Sequence, residues 1–147
     1  MPRSSSSFLF PDINVWLALS CERHVHHSAA RFWFEEKLED SRLCFCRFTQ
    51  LGLLRLLTTD AVMAEEVLTQ VQAWNVYDSW MEDDRIFFLE EPSTIEPRFR
   101  LLTRLKQPAA KDWSDSYLSA FADIAGLRLV TFDQSLHKKL SNAELLG

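Results

Sequence analysis

The sequence predicts an α/β fold: a three-layer sandwich in which a parallel, twisted sheet of four to five strands is flanked by helices. Two observations support this prediction. Short apolar segments of strand length alternate along the chain with longer segments whose apolar residues recur at helical spacing. The chain has 147 residues, 47% of them hydrophobic, which is enough for one domain with a sizeable core. We therefore expect one domain over residues 1–147, with a polar lead-in at residues 1–7.

Four segments have the character of buried strands. Residues 8–10 form a short apolar run that Pro11 stops, and Asp12 follows. Residues 43–48 alternate in polarity, residues 85–89 are closed by Pro92, and residues 127–132 are followed at once by Asp133. In a parallel sheet, Asp12 and Asp133 would lie at the same edge, beyond the carboxyl ends of the strands, where such sheets bind ligands.

The helices predicted between these strands cover residues 14–21, 29–38, 50–57 and 63–74, the last with an extension toward 81. A basic helix is expected between residues 92 and 108, and another over 113–125 before a C-terminal cap at Gly126. The helix over 50–57 is apolar except for Arg55, so we expect it to be buried. In the helix over 63–74, one stripe is expected to face the core: Val67, Leu68, Val71 and Trp74.

Composition excludes several classes of function. With 16 Lys and Arg against 21 Asp and Glu, the formal net charge of -5 argues against a general nucleic-acid coat protein, but not against a nuclease built on carboxylates. No segment resembles a membrane span or a secretory signal, so we expect a cytoplasmic protein with no membrane partner. Cys21, Cys44 and Cys46 lack the spacing of a zinc site and are expected to be reduced, packed thiols.

Asp12, Asp115 and Asp133 are candidate ligands of a metal ion. Each has an ordinary alternative role as a helix cap or as a favourable charge in a first helical turn, and the same holds for Asp112. Together, however, the three would converge at one end of the sheet, where mutual repulsion raises their proton affinity unless a cation is present. Oxygen ligands favour Mg²⁺, with Mn²⁺ as an alternative, and such an ion suits phosphodiester hydrolysis.

Four segments carry a family resemblance. Asp12-Ile13-Asn14-Val15 follows a strand, residues 49–58 form an Arg-bearing helix, residues 115–120 open a helix, and residues 129–133 close a strand. In this order they resemble the motifs of PIN domains, and in particular of VapC-type toxins from bacterial toxin-antitoxin pairs. The resemblance extends over residues 8–140, and the segment 24–30 followed by Trp33 is similar as well.

This resemblance implies a Mg²⁺-dependent endoribonuclease toxin with a PIN-like fold. Asp12, Asp115 and Asp133 would be the catalytic and metal-binding residues, with Asn14 tuning the first of them. Thr131 would support the ligands or position a water. The substrate would be RNA, cleaved to a 5′-phosphate and a 3′-hydroxyl. A cognate antitoxin would be the inhibitor, and the assembly would be a homodimer.

One departure from the family concerns Gln50, which stands where many PIN nucleases have a Glu. Either three aspartates suffice, which we favour, or Asp112 substitutes. Arg55 either pairs with an active-site acid or a phosphate, or forms a structural salt bridge. With Gln50 in place of a Glu, it also stays open whether the chain is a non-catalytic binding module with a PIN fold. A phosphohydrolase of the haloacid dehalogenase type is the more distant alternative, because that chemistry needs a second Asp where Asn14 stands.

Three further groups of residues have less specific interpretations. A histidine cluster without a partnering acid motif is expected to be surface or packing; it comprises His24, His26 and His27. A basic stretch near Trp113 is either a solvated face or a surface that contacts RNA; it comprises Arg98, Arg100, Arg104, Lys106 and Lys111. Large aromatics are expected to be mostly core, with some left for a dimer face or an antitoxin groove; they are Trp16, Phe32, Phe34, Trp74 and Trp80.

Overall fold

Five parallel strands form the sheet of the computed structural model, which describes residues 7–37, 39–140 and 142–147. The strands are β1 (Ser7–Pro11), β2 (Ser41–Phe45), β3 (Ile86–Phe88), β4 (Arg128–Thr131) and β5 (Ala143–Leu145). Their order is β3-β2-β1-β4-β5, and each neighbouring pair is parallel. The central strand is therefore β1, with β2 and β3 on one side of it and β4 and β5 on the other.

Eight α-helices connect the strands in the part of the chain that the structure describes. They are α1 (Ile13–Ser20), α2 (His27–Glu36), α3 (Arg47–Leu57), α4 (Asp60–Met63), α5 (Gln70–Met81), α6 (Ile95–Leu102), α7 (Asp112–Ala125) and α8 (Gln134–Lys139). A short 3₁₀ turn, Ala64–Glu66, follows α4. None of the helices in the described ranges is long and apolar enough to cross a membrane.

Side chains that alternate along the strands build two cores, one on each face of the sheet. Leu9, Leu43 and Val130 pack with residues of α1, α2, α3 and α5. Their neighbours along the same strands, among them Phe10 and Leu129, pack with residues of α6, α7 and α8. Because successive residues of a strand point to opposite faces, the sheet lies between two helical layers. The predicted three-layer α/β sandwich with a parallel sheet is confirmed.

One strand prediction needs correction, and one strand was not predicted. The strand predicted over 43–48 ends at Phe45, because Cys46 caps α3: the Cys46 N–H donates to the Thr49 hydroxyl oxygen at 3.0 Å. That helix therefore starts three residues earlier than the predicted residue 50. The short strand Ala143–Leu145 had no separate prediction, and it extends the sheet by pairing with β4.

The prediction of one continuous helix over 63–74 is wrong, since a break separates α4 from α5. Ala64 has a φ of 52°, outside the helical region, and Thr69 starts a new helix. The Thr69 hydroxyl accepts from the Gln72 N–H at 3.2 Å, and the Gln72 side chain accepts from the Thr69 N–H at 2.9 Å. This capping box sets the helical register so that Ala73 and Tyr77 are buried. Trp74 and the rest of the predicted core stripe lie outside the set of fully buried residues, and Val71 is exposed.

Other sequence predictions hold only in part. The helix α3 is not wholly buried as expected, because Leu51 is 59% exposed. The basic helix between 92 and 108 is short, and Arg104 lies beyond its end. Of the aromatics, Trp16 and Phe34 belong to the core, whereas Phe32 is exposed. The polar lead-in predicted at residues 1–7 lies outside the described residues except for residue 7, which opens β1; residue 38, the predicted end of the second helix, lies outside them too.

The three cysteines are free thiols placed in or near the cores. Cys44 and Cys46 are buried, and burial raises the pKa of the Cys44 thiol to about 12. Cys21 is half-buried, with its sulfur 3.7 Å from that of Met63. These thiols therefore have the packed character that the sequence predicts.

Gly52 allows α3 to lie close against α1, next to the first residue after Asp12. A methyl group at Gly52 would lie 2.7 Å from Ile13 Cγ1 and 3.1 Å from Ile13 Cγ2. These atoms belong to a stiff, β-branched side chain that yields little. We expect Gly52→Ala to lower the free energy of unfolding by about 1 to 3 kcal/mol in a urea titration, even though Ala is the better helix former.

The control is a double-mutant cycle with Ile13→Ala. Removing the overlapping atoms should leave Gly52→Ala with a smaller cost, or a gain, in the Ile13→Ala background. An equal cost in both backgrounds would contradict the close contact between the two helices.

Candidate active site at the carboxyl ends of the strands

The topology places a crevice between the carboxyl ends of β1 and β4. From β1 the chain continues to β2 and β3 on one side, while β4 and β5 lie on the other, and ligands bind parallel sheets at such a reversal. Pro11 is in register with Val130, and the Asp12 N–H donates to the Val130 carbonyl at 2.8 Å. This pairing puts Asp12 beside Thr131 and within reach of the residues that follow β4.

Asp12 is a buried carboxylate, only 8% exposed. It caps α1: its Oδ1 accepts from the Ile13 N–H at 2.6 Å, and its Oδ2 accepts from the Thr131 hydroxyl at 3.0 Å. Burial raises the pKa of Asp12 above its ordinary value of 3.8, although both hydrogen bonds oppose the rise. The negative charges of Asp115 and Asp133 raise it further. A cation in the crevice would remove this penalty on the ionised form.

Thr131 connects Asp12 to Asp133 through its hydroxyl group. The hydroxyl donates to Asp12 and accepts from the Asp133 N–H at 2.9 Å. Asp133 in turn caps α8, accepting at Oδ1 from the N–H groups of Ser135 at 2.8 Å and Leu136 at 3.4 Å. Thr131 is fully buried, so this bridge holds the Asp12 carboxylate next to the Asp133 backbone.

Asp115 reaches the same region from the first turn of α7. It is half-buried, and burial raises its pKa. The charge of Asp133 raises that pKa as well, while Lys139 lowers it and Asp112 raises it again. The charges of Asp12, Asp115 and Asp133 thus act on one another, and the structure brings these three predicted residues to one end of the sheet. The helix-cap role considered for Asp12 and Asp133 is present in the structure, and their role as metal ligands stays a prediction.

Asp112 lies at the start of α7, but both of its oxygens are engaged. One is paired with Lys139, and the other accepts from the Ser116 hydroxyl at 2.9 Å. The hydrogen bond from Lys139 holds the pKa of Asp112 below its ordinary value. Sequence reasoning missed Lys139 at the end of α8, because no motif links it to Asp112. The ion pair fastens α8 to α7 beside the candidate site.

Gln50, the residue at the place of the family's Glu, is buried in the first turns of α3. Its Oε1 accepts from Arg47 at 2.6 Å, and its side chain also hydrogen-bonds that of Tyr77. Its amide oxygen is therefore engaged within the fold.

Arg55 and Asn14 are both exposed. Arg55 lines a groove between α3 and α5 that also includes Leu51 and Trp74. In the described ranges no hydrogen bond or ion pair joins Arg55 to Asp12, Asp115 or Asp133. Asn14 lies in the first turn of α1, and the same ranges show no hydrogen bond from its side chain. The roles suggested for these two residues stay predictions.

The histidine cluster serves packing around the start of α2. The ring of His26 stacks on Phe132 with centroids 4.4 Å apart, and His27 Nδ1 lies 2.7 Å from the Ala18 carbonyl oxygen. The His24 Nδ1 accepts from the His26 N–H at 3.0 Å. These contacts agree with the packing interpretation made from the sequence.

The carboxylates at this end of the sheet suit a hydrated divalent ion better than a fully enclosed one. Within residues 7–37, 39–140 and 142–147, no three His, Cys, Asp or Glu side chains converge closely enough to hold a metal ion by themselves. Mg²⁺ does not need such a cage, because it keeps several waters and is held by one or two carboxylates. A buried carboxylate with a raised pKa, faced by two others, fits an ion of that kind.

Known proteins are similar to this chain over most of its length. The PIN domain family matches residues 9–140 of the chain. Ribonuclease VapC41 of Mycobacterium tuberculosis is 42% identical over 129 residues, which cover 85% of this chain and 88% of the relative. Ribonuclease VapC29 of the same organism is 35% identical over 128 residues, covering 85% of each chain.

Solved structures show the same fold at low sequence identity. VapC20 of Mycobacterium tuberculosis, a toxin described as cleaving the sarcin-ricin loop, is similar with a TM-score of 0.66 at 13% identity, covering 96% of this chain and all of that one. VapBC2 of Rickettsia felis, solved with a DNA fragment from its promoter, is similar with a TM-score of 0.64 at 10% identity, covering 94% of this chain and 96% of that one. The chain therefore belongs to the PIN-domain family, as a member of the VapC type.

Proposed function

We propose that this protein is a divalent-metal-dependent endoribonuclease toxin that hydrolyses RNA phosphodiester bonds. The observation that supports the proposal best is the buried Asp12 carboxylate, whose pKa is raised by burial and by the charges of Asp115 and Asp133. Such a cluster is costly for the fold unless a cation binds there. The names of the relatives at 42% and 35% identity, both ribonucleases, support RNA as the substrate.

Asp12, Asp115 and Asp133 are the residues that would hold the ion, with Mg²⁺ preferred and Mn²⁺ as an alternative. When bound, a divalent ion supplies an acidified water as nucleophile and positive charge that neutralises the phosphate. Asp12 is held in place by hydrogen bonds that its two oxygens accept from Ile13 and Thr131. The neutral Gln50 adds no charge, and its oxygen is engaged, so the three aspartates act without a fourth acid.

The remaining residues of the site position these carboxylates. Thr131 holds Asp12 and the Asp133 backbone together, and the Asp112–Lys139 pair fixes the start of α7, which carries Asp115. RNA would enter over the strand ends, with its backbone directed at the crevice between β1 and β4. We propose a cognate antitoxin as inhibitor and a homodimer as the assembly, both from the resemblance to VapC-type toxins.

A non-catalytic binding module is the second candidate, and the engaged amide of Gln50 is the observation that favours it. The two candidates differ in their response to metal. A catalytic site gains stability from Mn²⁺, whereas a module that has lost its metal site does not.

The first experiment compares the wild type with Asp12→Asn, Asp133→Asn and a control, Asp78→Asn, which changes an exposed aspartate on α5. We expect RNA cleavage in Mg²⁺ to fall by more than about 100-fold in the two site variants, because losing even an outer partner of a metal ligand costs 10- to 100-fold. At 100 times its Kd, Mn²⁺ should stabilise the wild type and Asp78→Asn by about 2.7 kcal/mol, and Asp12→Asn much less. The measurements are a cleavage assay on total RNA and thermal unfolding with and without Mn²⁺.

Equal cleavage by the wild type and Asp133→Asn would contradict the proposed hydrolysis. No cleavage by the wild type, together with no Mn²⁺-dependent rise in Tm, would favour the binding module instead.

The second experiment concerns the Thr131 hydroxyl. Thr131→Val keeps the shape but leaves the Asp133 N–H and the Asp12 Oδ2 without their partner, so we expect a loss of about 1 to 3 kcal/mol of stability. Cleavage should fall by about 10- to 100-fold. In the wild type, the hydrogen bond from Thr131 lowers the pKa of Asp12. Thr131→Val removes this bond, so we expect the pKa of Asp12 to rise further above 3.8 in the variant.

The rise in the pKa of Asp12 determines how the stability of Thr131→Val depends on pH. Because the folded-state pKa of Asp12 lies above its unfolded value, the contribution of this group to the stability of the metal-free protein is greatest below pH 3.8 and is lost as the pH rises through the folded pKa. The deficit of Thr131→Val relative to the wild type should therefore grow as the pH rises from below 3.8. Thr131→Ser keeps the hydroxyl and should stay near the wild type. If Thr131→Val and Thr131→Ser lose the same stability at every pH, side-chain packing at this position, and not the hydroxyl bridge, accounts for the effect.

A further inference from the structure

We infer that a groove between α6 and α7 binds a nucleotide of single-stranded RNA, stacking its base on Trp113 and contacting its phosphate with Arg104. The inference rests on the proposed function and extends it to a second subsite next to the acid cluster. The groove is lined by Glu96, Phe99, Arg100, Thr103, Arg104 and Trp113.

Trp113 is a large aromatic side chain held at the surface. It is the second residue of α7 and is 55% exposed. Its ring meets that of Phe99 edge-on with centroids 6.1 Å apart, and Phe99 meets Tyr117 edge-on at 5.8 Å. The indole is thus supported from one side by an aromatic cluster. An exposed, supported ring is the kind of platform on which nucleic acid bases stack.

The positive charge in the groove comes from one residue. Arg100 is paired with Glu96 at 2.8 Å, and Arg98, elsewhere on α6, is paired with Asp123 at 2.7 Å. Arg104 is exposed beyond the end of α6, and the described part of the chain shows no ion pair to it. In a protein with a formal net charge of -5, an unpaired guanidinium beside an exposed indole favours a phosphate-bearing ligand.

The groove lies at the start of α7, the helix that carries Asp115. A neighbouring depression shares Thr103 and Trp113 with it and is also lined by Asp112. Asp112 lies one helical turn from Asp115 on the same face of α7. A strand whose phosphodiester lies over the crevice can therefore place a flanking nucleotide on Trp113. The structure thus separates the basic stretch of the sequence into two residues paired with acids, Arg98 and Arg100, and three residues with no ion pair in the described ranges. Of these three, Arg104 lines the groove.

RNA is the occupant that this chemistry favours over a protein segment. Base stacking on an aromatic ring tolerates any base, and unpaired bases are available in single-stranded loops and ends of RNA. One aromatic ring for the base and one unpaired cation for the phosphate match the two parts of a single nucleotide.

The test measures binding of a fluorescein-labelled, unstructured RNA oligonucleotide in EDTA, where no cleavage occurs. By fluorescence anisotropy we expect Trp113→Ala to weaken binding by about 5- to 100-fold. Trp113→Phe keeps an aromatic face and should recover most of the affinity. Trp74→Ala removes another exposed indole, 46% exposed on α5, and should leave binding unchanged. Arg104→Ala should weaken binding and reduce the slope of log K against log salt by about 0.7.

A second readout separates this inference from the proposed function. With Mg²⁺, Trp113→Ala should raise KM more than it lowers kcat. If the wild type cleaves RNA but Trp113→Ala and Arg104→Ala bind and cleave it normally, the subsite is overturned and the nuclease stands. If Trp113→Ala weakens only the complex with an antitoxin, the groove is a protein-binding surface and the inference is also overturned. If the wild type cleaves no RNA while binding still depends on Trp113, the subsite stands and the nuclease falls.

Discussion

The parallel hydrogen bonding of β1 to β4 is the constraint on which the candidate site depends. It sets Asp12 beside Thr131 through the bond from the Asp12 N–H to the Val130 carbonyl. The Thr131 hydroxyl then joins the side chain of Asp12 to the backbone of Asp133. Two acids separated by most of the chain become neighbours because two central strands lie side by side and end together. A shift of register between these strands would separate them.

Gathering these carboxylates works against stability, and the fold offsets the cost. Burial and mutual repulsion raise the pKa of Asp12 and of Asp115, so their ionised forms are disfavoured in the folded protein. Hydrogen bonds from Ile13 and Thr131 recover part of this cost at Asp12, and the start of a helix favours negative charge. The two apolar cores on either face of the sheet supply the remainder. A cluster of acids whose burial and mutual repulsion oppose folding is typical of residues kept for function.

The parts of the fold that are local in sequence could be predicted, and those that depend on distant contacts could not. Short apolar runs ending in Asp12 and Asp133 indicated the central strands and the acid edge. The capping box of Thr69 and Gln72 was readable but was overridden by an apolar pattern that runs across the break. Nothing in the sequence pairs Lys139 with Asp112, because that contact joins two helices packed by the tertiary fold. For Gln50 the two partners differ: Arg47 is local, three residues earlier on α3, whereas Tyr77 comes from α5 through the tertiary fold.

We propose that folding gathers three distant acids around one divalent ion. Anomalous diffraction from crystals grown with Mn²⁺ tests it most directly, because the signal locates the metal without reference to activity. We expect an anomalous-density peak at about 2.1 Å from an oxygen of Asp12. Asp115 or Asp133 should complete the coordination, directly or through water. A fully occupied Mn²⁺ bound elsewhere, with the crevice between β1 and β4 free of anomalous density, would contradict it.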